Sequence, residues 1–318
     1  MSSERVAAID IGTVTTRLLV ADVDDGVVTE VGRRSIITQL GEGWTGTGVL
    51  SDEAMSRVTW AVAGFMAEAR VLGATRHVAV ATSASRDAAN ASELLERLAT
   101  AGLRPEIITG EREAYLTFSG ATYAHPGADM LVVDVGGGST ELVVGSATAG
   151  GETGRTVSVE AARSVDVGSR RLTERFLVSD PPSAHEIDDA AGRVAAELSP
   201  FFSGLGSRPR EMIATSGVAT SLAAIEQALD PYDPARVHGF RLTGAALVGT
   251  MHHLASLKLE ARRTVVGLEP DRASVIVGGV LVLQTALALS GLTSTLVSEH
   301  DILYGMVLDS GAPEASTS

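Results

Sequence analysis

Two carboxylates, Asp134 and Glu141, bracket a run of three glycines near the middle of the chain. An apolar strand from Leu131 ends in Asp134, the glycines follow, and a second apolar strand carries Glu141. Glycine lets a ligand approach the main chain closely, and the N–H groups of such a turn can form a cradle for an anion such as phosphate. Carboxylates beside phosphates are a usual way of holding Mg²⁺. The segment therefore predicts a site for phosphoryl chemistry.

The N-terminus of the chain repeats this arrangement. An apolar strand that begins at Val6 ends in Asp10, a Gly12-Thr13 turn follows, and an apolar strand returns to Asp22. A single copy would also be typical of a buried β-hairpin with a glycine turn. Two copies, each with an acid at the end of its first strand, indicate two related lobes that present phosphate-binding turns to one cleft.

The elements around these hairpins predict an α/β fold. Residues 5–38 read as a meander of three strands, a long helix covers 51–72, and strands then alternate with helices. A second meander over 129–166 includes a glycine-rich hairpin at 148–154. We predict a first lobe at 1–123, a second lobe at 124–300, a closing helix at 301–309 that packs on the first lobe, and a frayed tail at 310–318.

Composition narrows the class of protein. The 318 residues carry a net charge of −14, which argues against nucleic-acid binding, and no cysteine, which excludes disulfides and thiolate metal sites. The uncharged stretch 275–292 is long enough to span a membrane, but Gln284 and the Gly278-Gly279 pair favour a helix buried between lobes. The N-terminus lacks a signal-peptide core. We expect a cytoplasmic protein with no membrane and no nucleic-acid partner.

Seven motifs occur in the order found in one known family. They are Ala7-Ala-Ile-Asp-Ile-Gly12, Ala81-Thr-Ser-Ala-Ser-Arg86, Thr109-Gly-Glu-Arg-Glu-Ala114, Asp134-Val-Gly-Gly-Gly-Ser-Thr-Glu141, Thr215-Ser-Gly217, Gly267-Leu-Glu-Pro-Asp-Arg-Ala273 and Ser298-Glu-His-Asp-Ile-Leu-Tyr-Gly305. From residue 5 to 309 the chain resembles the exopolyphosphatases and guanosine pentaphosphate phosphohydrolases of the actin-like ATPase and sugar kinase superfamily, in their short two-domain form. The resemblance implies two ribonuclease-H-like lobes, each a mixed five-stranded sheet with flanking helices, and a cleft between them.

The resemblance also implies a reaction and the residues that perform it. Water removes the terminal phosphoryl group of inorganic polyphosphate, or the 5′ γ-phosphate of guanosine pentaphosphate, with Mg²⁺ or Mn²⁺ and, as a further option, a monovalent cation such as K⁺. Glu113 activates the water, and Asp134 and Glu141 lie against the attacked phosphate and, with Asp10, hold the metal. The implied substrate-binding residues are Gly12, Thr13, Thr15, Arg86, Gly136, Gly137, Gly138, Ser139, Ser216 and Gly217. A homodimer is compatible with the family.

Several residues keep an alternative reading. Glu111 competes with Glu113 for the catalytic role, because either carboxylate could instead compensate the dipole of the helix that begins there. Glu141 could also be a strand residue on a wet face. Six arginines could line a continuing groove: Arg17, Arg170, Arg171, Arg262, Arg263 and Arg272.

The chain departs from the family pattern at four positions. Val14 replaces an asparagine and cannot supply its amide donor, and Arg112 replaces a glutamate. Val218 stands where threonine is frequent, and Tyr304 where arginine is common. The resemblance favours an exopolyphosphatase, with polyphosphate preferred over guanosine pentaphosphate because nothing in the sequence reads as a guanine pocket. The departures at Val14 and Arg112 keep open a weakly active or non-catalytic binder of polyphosphate or an alarmone. The superfamily also offers an ATP-dependent sugar kinase or chaperone-like ATPase.

Overall fold

Two β-sheets with flanking helices organise the residues that this computed structural model describes, 4–149 and 155–310. The first sheet has the strand order β3-β2-β1-β4-β5, with β1 at Glu4–Ile11, β2 at Thr15–Asp24, β3 at Val27–Ile37, β4 at Arg76–Ala81 and β5 at Glu106–Ile107. The second has the order β10-β11-β9-β6-β7-β8, with β6 at Gly127–Val135, β7 at Thr140–Ala147, β8 at Val157–Val165, β9 at Glu211–Thr215, β10 at Arg241–Thr243 and β11 at Ser294–Ser298. The predicted α/β class with two mixed sheets is confirmed.

The second sheet has six strands rather than the predicted five. The additional strand, β10, spans three residues and pairs antiparallel with β11 at the edge of the sheet. A segment this short has too few residues for an alternating pattern to be read from the sequence. The predicted hairpin at 148–154 and the tail beyond 310 fall largely or wholly outside the described residues.

The helices alternate with the strands along the chain. They are α1 (Trp44–Thr47), α2 (Asp52–Val71), α3 (Ser83–Asp87), α4 (Ala91–Thr100), α5 (Gly110–Ala121), α6 (Ser169–Phe176), α7 (Ala184–Ser203), α8 (Ser216–Glu226), α9 (Pro234–Val237), α10 (Gly244–Ser256), α11 (Leu259–Arg262), α12 (Ile276–Ser290) and α13 (Ile302–Ser310). We call the first sheet with α1–α5 the first lobe, and the second sheet with α6–α12 the second lobe.

The two sheets are built around equivalent hairpins. Strand β1 pairs antiparallel with β2 and parallel with β4, and β6 pairs in the same senses with β7 and β9. In these registers Asp10 lies opposite Arg17, and Asp134 lies opposite Glu141. Because β1 and β6 have neighbours on both sides and helices over them, their apolar residues are almost all buried. Each hairpin therefore presents its acid at the end of a central strand.

Helix α12 accounts for the long uncharged stretch of the sequence. Most of its residues are buried among α6, α7 and α10, so it is an interior helix of the second lobe and is apolar on nearly all sides, whereas the sequence predicted a helix buried between the lobes. Among the described residues there is no helix with the length and apolar character to cross a membrane.

The last helix returns to the first lobe and packs against α5. Two glycines allow the crossing: a Cβ on Gly120 would lie 1.8 Å from the carbonyl oxygen of Asp301, and one on Gly305 would lie 1.9 Å from that of Leu116. No other residue fits such backbone contact. The crossing brings the start of α13 beside the helix that carries Glu113.

The effect of Gly120 on stability can be tested against Gly192, a control glycine in α7. Gly192 lies exposed within α7, and a Cβ there would meet no atom within 4 Å. We expect Gly192→Ala to raise the free energy of unfolding by about 0.5–1 kcal/mol, because alanine loses less backbone entropy in a helix. Gly120→Ala should lower it, since its methyl group would collide with backbone. Urea unfolding monitored by circular dichroism measures the free energy of unfolding of both variants. A loss of stability in Gly192→Ala would contradict the prediction for α7.

Candidate active site

A cleft of about 730 Å³ lies where the turns of the two hairpins meet. Residues of both turns line it, and so do Asp10, Glu113, Asp134 and Glu141. Of the residues predicted to bind substrate, Arg86 alone is not among those lining the cleft. Residues more than 100 positions apart in the sequence are thus brought to one place, which is what a shared site between two lobes requires.

The glycine turn after β6 has its carbonyl oxygens held away from the cleft. The carbonyl of Gly136 accepts from the Ser169 N–H (2.9 Å), that of Gly137 from the N–H groups of Arg170 (2.9 Å) and Arg171 (3.1 Å), and that of Gly138 from Arg171 Nε (2.8 Å). In a trans peptide the N–H points opposite to the C=O. The N–H groups of Gly137, Gly138 and Ser139 therefore point away from α6. Within the described residues no carbonyl accepts them.

These three N–H groups are available to an anion, as predicted for a phosphate cradle, but the Gly136 N–H is not, because it donates to the carbonyl of Ser139 (3.0 Å). We call the three groups the cradle, and the first turn faces it at contact distance. A Cβ on Gly137 would lie 2.5 Å from Val14 Cγ2, and one on Gly138 would lie 2.5 Å from Ser83 Oγ and 2.9 Å from Thr13 Oγ1. Val14 is therefore part of the contact between the lobes, where it packs on the turn. The glycines are needed for this approach and not for a left-handed backbone.

Glu113 lies in the first turn of α5, which Thr109 caps by accepting the Arg112 N–H. The Glu113 side chain is buried at the cleft, whereas Glu111 is exposed and does not line it. Arg86 donates to Glu113 Oε2 (3.2 Å) and to the carbonyl of Ile108 (3.1 Å). Burial raises the pKa of Glu113 to about 7, and the charge of Arg86 opposes that rise. A carboxylate with this pKa can accept a proton near neutral pH.

Asp134 and Glu141 are both buried, so the wet-face alternative for Glu141 does not hold. Burial raises the pKa of Asp134 to about 6 against the charge of Arg17. Burial, followed by the neighbouring charges of Glu113 and Asp134, raises the pKa of Glu141 well above its usual range, although Ser164 donates to Glu141 Oε1 at 2.7 Å. The acids crowd enough negative charge together that they resist full ionisation.

Asp10 belongs to a chain of charges that includes an acid the sequence did not reveal as functional. Arg17 donates to Asp10 Oδ2 at 2.6 Å and also to Asp301 Oδ2. Asp301 is buried, lines the cleft and caps α13 through the Leu303 N–H. Burial lowers the pKa of Arg17, but the charges of Asp301, Asp10 and Asp134 raise it by more, so the net shift is upward. An aspartate that precedes a helix is ordinarily a cap, so its pattern gave no signal of this second role.

The acids of the cleft are of the kind that can hold a divalent cation. Eight carboxylates line the cleft against five guanidinium groups, and Asp10 Oδ1 is a buried oxygen with no partner among the described residues. Over the same residues no three His, Asp or Glu side chains converge closely enough to hold a metal ion. Asp10, Asp134 and Glu141 therefore do not form a complete cage. Mg²⁺ usually takes one or two carboxylates and completes its shell with phosphate oxygens and water, which matches this donor set.

The direct junction between β9 and α8 brings Ser216 and Gly217, the first residues of α8, to the same cleft. Ser216 has a left-handed backbone with φ of +69° and donates its hydroxyl to the carbonyl of Val135, and such strain is typical of functional turns. A Cβ on Gly217 would lie 2.0 Å from the guanidinium of Arg272. Glycine is needed here so that this arginine can reach the cleft.

The six arginines predicted for the groove divide into two sets. Arg17, Arg263 and Arg272 line the cleft, as do Arg33 and Arg34, which the sequence did not single out. Arg170, Arg171 and Arg262 do not. Arg262 is buried and donates to the carbonyls of Leu254, Leu257 and Ala273, where it closes the end of α10. Arg170 and Arg171 hold α6 against the first lobe.

Arg112, the departure beside Glu113, is directed away from the cleft. Its guanidinium pairs with Asp309 at 2.5 Å on the surface. Because exposed ion pairs contribute about 0–1 kcal/mol, we expect Arg112→Ala to leave the hydrolase activity that the resemblance implies within about twofold of the wild-type value. Steady-state kinetics beside Arg112→Glu, which restores the family residue, would check this. A loss of more than tenfold in the alanine variant would show that Arg112 acts on the site.

Comparison with known proteins places this geometry among related chains. Residues 19–310 match the sequence family described as the Ppx/GppA phosphatase family. Exopolyphosphatase 2 of Mycobacterium tuberculosis is 37% identical over 328 residues, which cover 97% of this chain and 99% of that protein. The crystal structure of an exopolyphosphatase-like protein superposes with a TM-score of 0.89 at 35% identity and covers 98% of both chains. The Aquifex aeolicus PPX-GPPA enzyme superposes with a TM-score of 0.79 at 30% identity and covers 97% of this chain and 100% of that one.

Proposed function

The chain belongs to the Ppx/GppA phosphatase family, and from that premise we propose that it is an exopolyphosphatase, a phosphoanhydride hydrolase that releases terminal phosphate from inorganic polyphosphate. One observation carries the proposal: three backbone N–H groups that no carbonyl of the described residues accepts and a buried carboxylate with a pKa of about 7 belong to one cleft. The first can hold a phosphoryl group, and the second can accept the proton of an attacking water.

The proposed roles follow from position. The N–H groups of Gly137, Gly138 and Ser139 hold the oxygens of the terminal phosphoryl group, and Thr13 and Thr15 approach from the opposite turn. Arg86 keeps the Glu113 carboxylate in place. Glu113 takes a proton as the water oxygen bonds to phosphorus, and the electrons of the breaking P–O bond go to the shortened chain.

Asp10 and Asp134, with Glu141 beside them, would hold the divalent cation. Bound there, Mg²⁺ or Mn²⁺ would offset the charge of the phosphate oxygens. The excess of carboxylates in the cleft supports this role, because a polyphosphate anion would otherwise be repelled. Arg17 then keeps one oxygen of Asp10 occupied, while Oδ1 has no partner within the part of the chain that the structure describes.

Phosphate release tests the proposal against the other two functions. The protein is incubated with short and long polyphosphate, with guanosine pentaphosphate, or with ATP and sugars, in Mg²⁺ or in EDTA. We expect orthophosphate from polyphosphate without any acceptor, in Mg²⁺ alone. Release from guanosine pentaphosphate only, transfer to a sugar, or polyphosphate binding with no turnover would each contradict it.

A further inference from the structure

One side chain, Arg171, contacts both the phosphate cradle and the first lobe. Arg171 belongs to α6, the helix that supports the glycine turn after β6, and its side chain is largely buried. Its Nε donates to the carbonyl of Gly138 (2.8 Å), and its Nη2 donates to Asp87 of α3 (2.8 Å). The guanidinium lies over the ring of Trp44, 4.5 Å from the centroid. Asp87 and Trp44 belong to the first lobe, so the guanidinium joins the two lobes at the cradle.

The three carbonyls of the cradle are held in two different ways. Those of Gly136 and Gly137 accept backbone N–H groups from Ser169, Arg170 and Arg171, all within the second lobe. The carbonyl of Gly138 is held by the Arg171 side chain, whose Nη2 lies 2.8 Å from Asp87 of the first lobe and 3.6 Å from Asp166 of the second, so the shorter contact is the one made to the first lobe. Because the peptide is planar and trans, this carbonyl fixes the direction of the Ser139 N–H. The Ser139 N–H is therefore the donor whose direction is linked, through Arg171, to contact between the lobes.

We propose that Arg171 is a positioning residue that aims the Ser139 N–H at the substrate phosphate only while Asp87 and Trp44 of the first lobe hold its guanidinium. The inference rests on the proposed hydrolase function and extends it. Closure of the two lobes would complete the cradle as well as narrow the cleft. A planar guanidinium suits this role, since it can stack on an aromatic ring while it donates in its own plane to two acceptors, a geometry that the compact lysine ammonium does not reproduce.

Glu174 provides a matched control on the same helix. It accepts from the Gly43 N–H at 3.1 Å and from the Thr45 hydroxyl, both in the first lobe, and it pairs with Arg170. Its carboxylate thus joins α6 to the first lobe without touching a cradle carbonyl. Glu174→Gln weakens contact between the lobes, whereas Arg171→Lys weakens contact and releases the Gly138 carbonyl.

The test compares Arg171→Lys, Asp87→Asn and Glu174→Gln in polyphosphate hydrolysis. We expect Arg171→Lys to lower kcat about 10²-fold, the usual effect of losing one preorganised donor, with a smaller change in KM. Asp87→Asn should lower kcat about tenfold, and Glu174→Gln should stay within about twofold. Asp87→Asn should have no further effect in the Arg171→Lys background, because the two substitutions break one connection. A calorimetric titration with inorganic phosphate should show weaker phosphate binding in Arg171→Lys than in the wild type. Glu174→Gln should bind phosphate as the wild type does.

Equal losses in Arg171→Lys and Glu174→Gln would overturn the inference, and so would a full Asp87→Asn effect in the double variant. If Arg171→Lys fails to fold, equal kcat in Asp87→Asn and the wild type would overturn it. If the wild type releases no phosphate from polyphosphate, the proposed function fails, and the phosphate titration still decides the role of Arg171.

Discussion

Glu113→Gln should lower kcat for polyphosphate hydrolysis about 10³-fold, within the range expected when a general base is removed. The amide keeps the size of the side chain and one acceptor for Arg86, but it cannot take a proton from water. Phosphate release under saturating polyphosphate and Mg²⁺ measures the effect. Glu111→Gln is the matched control, since Glu111 is exposed on the same helix turn and should keep wild-type activity. Equal activity in Glu113→Gln and the wild type would remove Glu113 from the mechanism.

The same substitution should alter two pH profiles. In the wild type, kcat/KM should rise with pH as the acids with pKa values of about 6 and about 7 ionise, and Glu113→Gln should lose the upper part of that rise.

Folded Glu113 has a pKa raised above its unfolded value of 4.5, so the folded state binds more protons between these values. The free energy of unfolding contributed by this group therefore falls as pH rises from 4.5 to about 7. Without divalent cation, Glu113→Gln should melt at a higher temperature than the wild type at pH 8.

Gly168→Ala should lower kcat/KM at least about 100-fold, because its methyl group would displace the phosphate cradle. A Cβ on Gly168 would lie 2.5 Å from both the carbonyl carbon and oxygen of Gly137 and 2.7 Å from the carbonyl carbon of Gly138. Gly168 has an extended backbone, with φ of −131°, that alanine also adopts, so the collision alone causes the loss. Gly192→Ala, with open space around it, is the control for the substitution itself.

Kinetics and a phosphate titration measure the Gly168→Ala effect, with the melting temperature as a check on folding. A second variant, Gly137→Ala, would push on Val14 and Thr13 instead of on backbone and should have the smaller effect. Wild-type phosphate affinity in folded Gly168→Ala would contradict the assignment of the turn as the cradle.

The sequence predicted the parts of the site that repeat a local pattern. Strand, acid and glycine turn follow one another within a few residues, so both hairpins and their acids could be predicted from spacing alone. Glu113 and Glu111 could not be separated in this way. The structure separates them because helix α5 turns one carboxylate into the cleft and the other to solvent.

The residues that the sequence missed depend on contacts between distant segments. Asp301 reads as an ordinary helix cap, and its contact with Arg17 exists only because Gly120 and Gly305 let α13 cross α5. Arg170 and Arg171 are among the six arginines that the sequence suggested could line the groove. Their actual partners, Gln39 and Asp87, lie in the other lobe. No one-dimensional pattern encodes which lobe surface a side chain will meet.

The most direct test of the account is hydrolysis of polyphosphate in water enriched in ¹⁸O. If Glu113 activates a water that attacks the terminal phosphorus in the cradle, each released orthophosphate should carry one ¹⁸O atom and the shortened polymer should carry none. Mass spectrometry of both products reads the label. Label in the polymer end, or release that requires an acceptor and leaves orthophosphate unlabelled, would contradict the account.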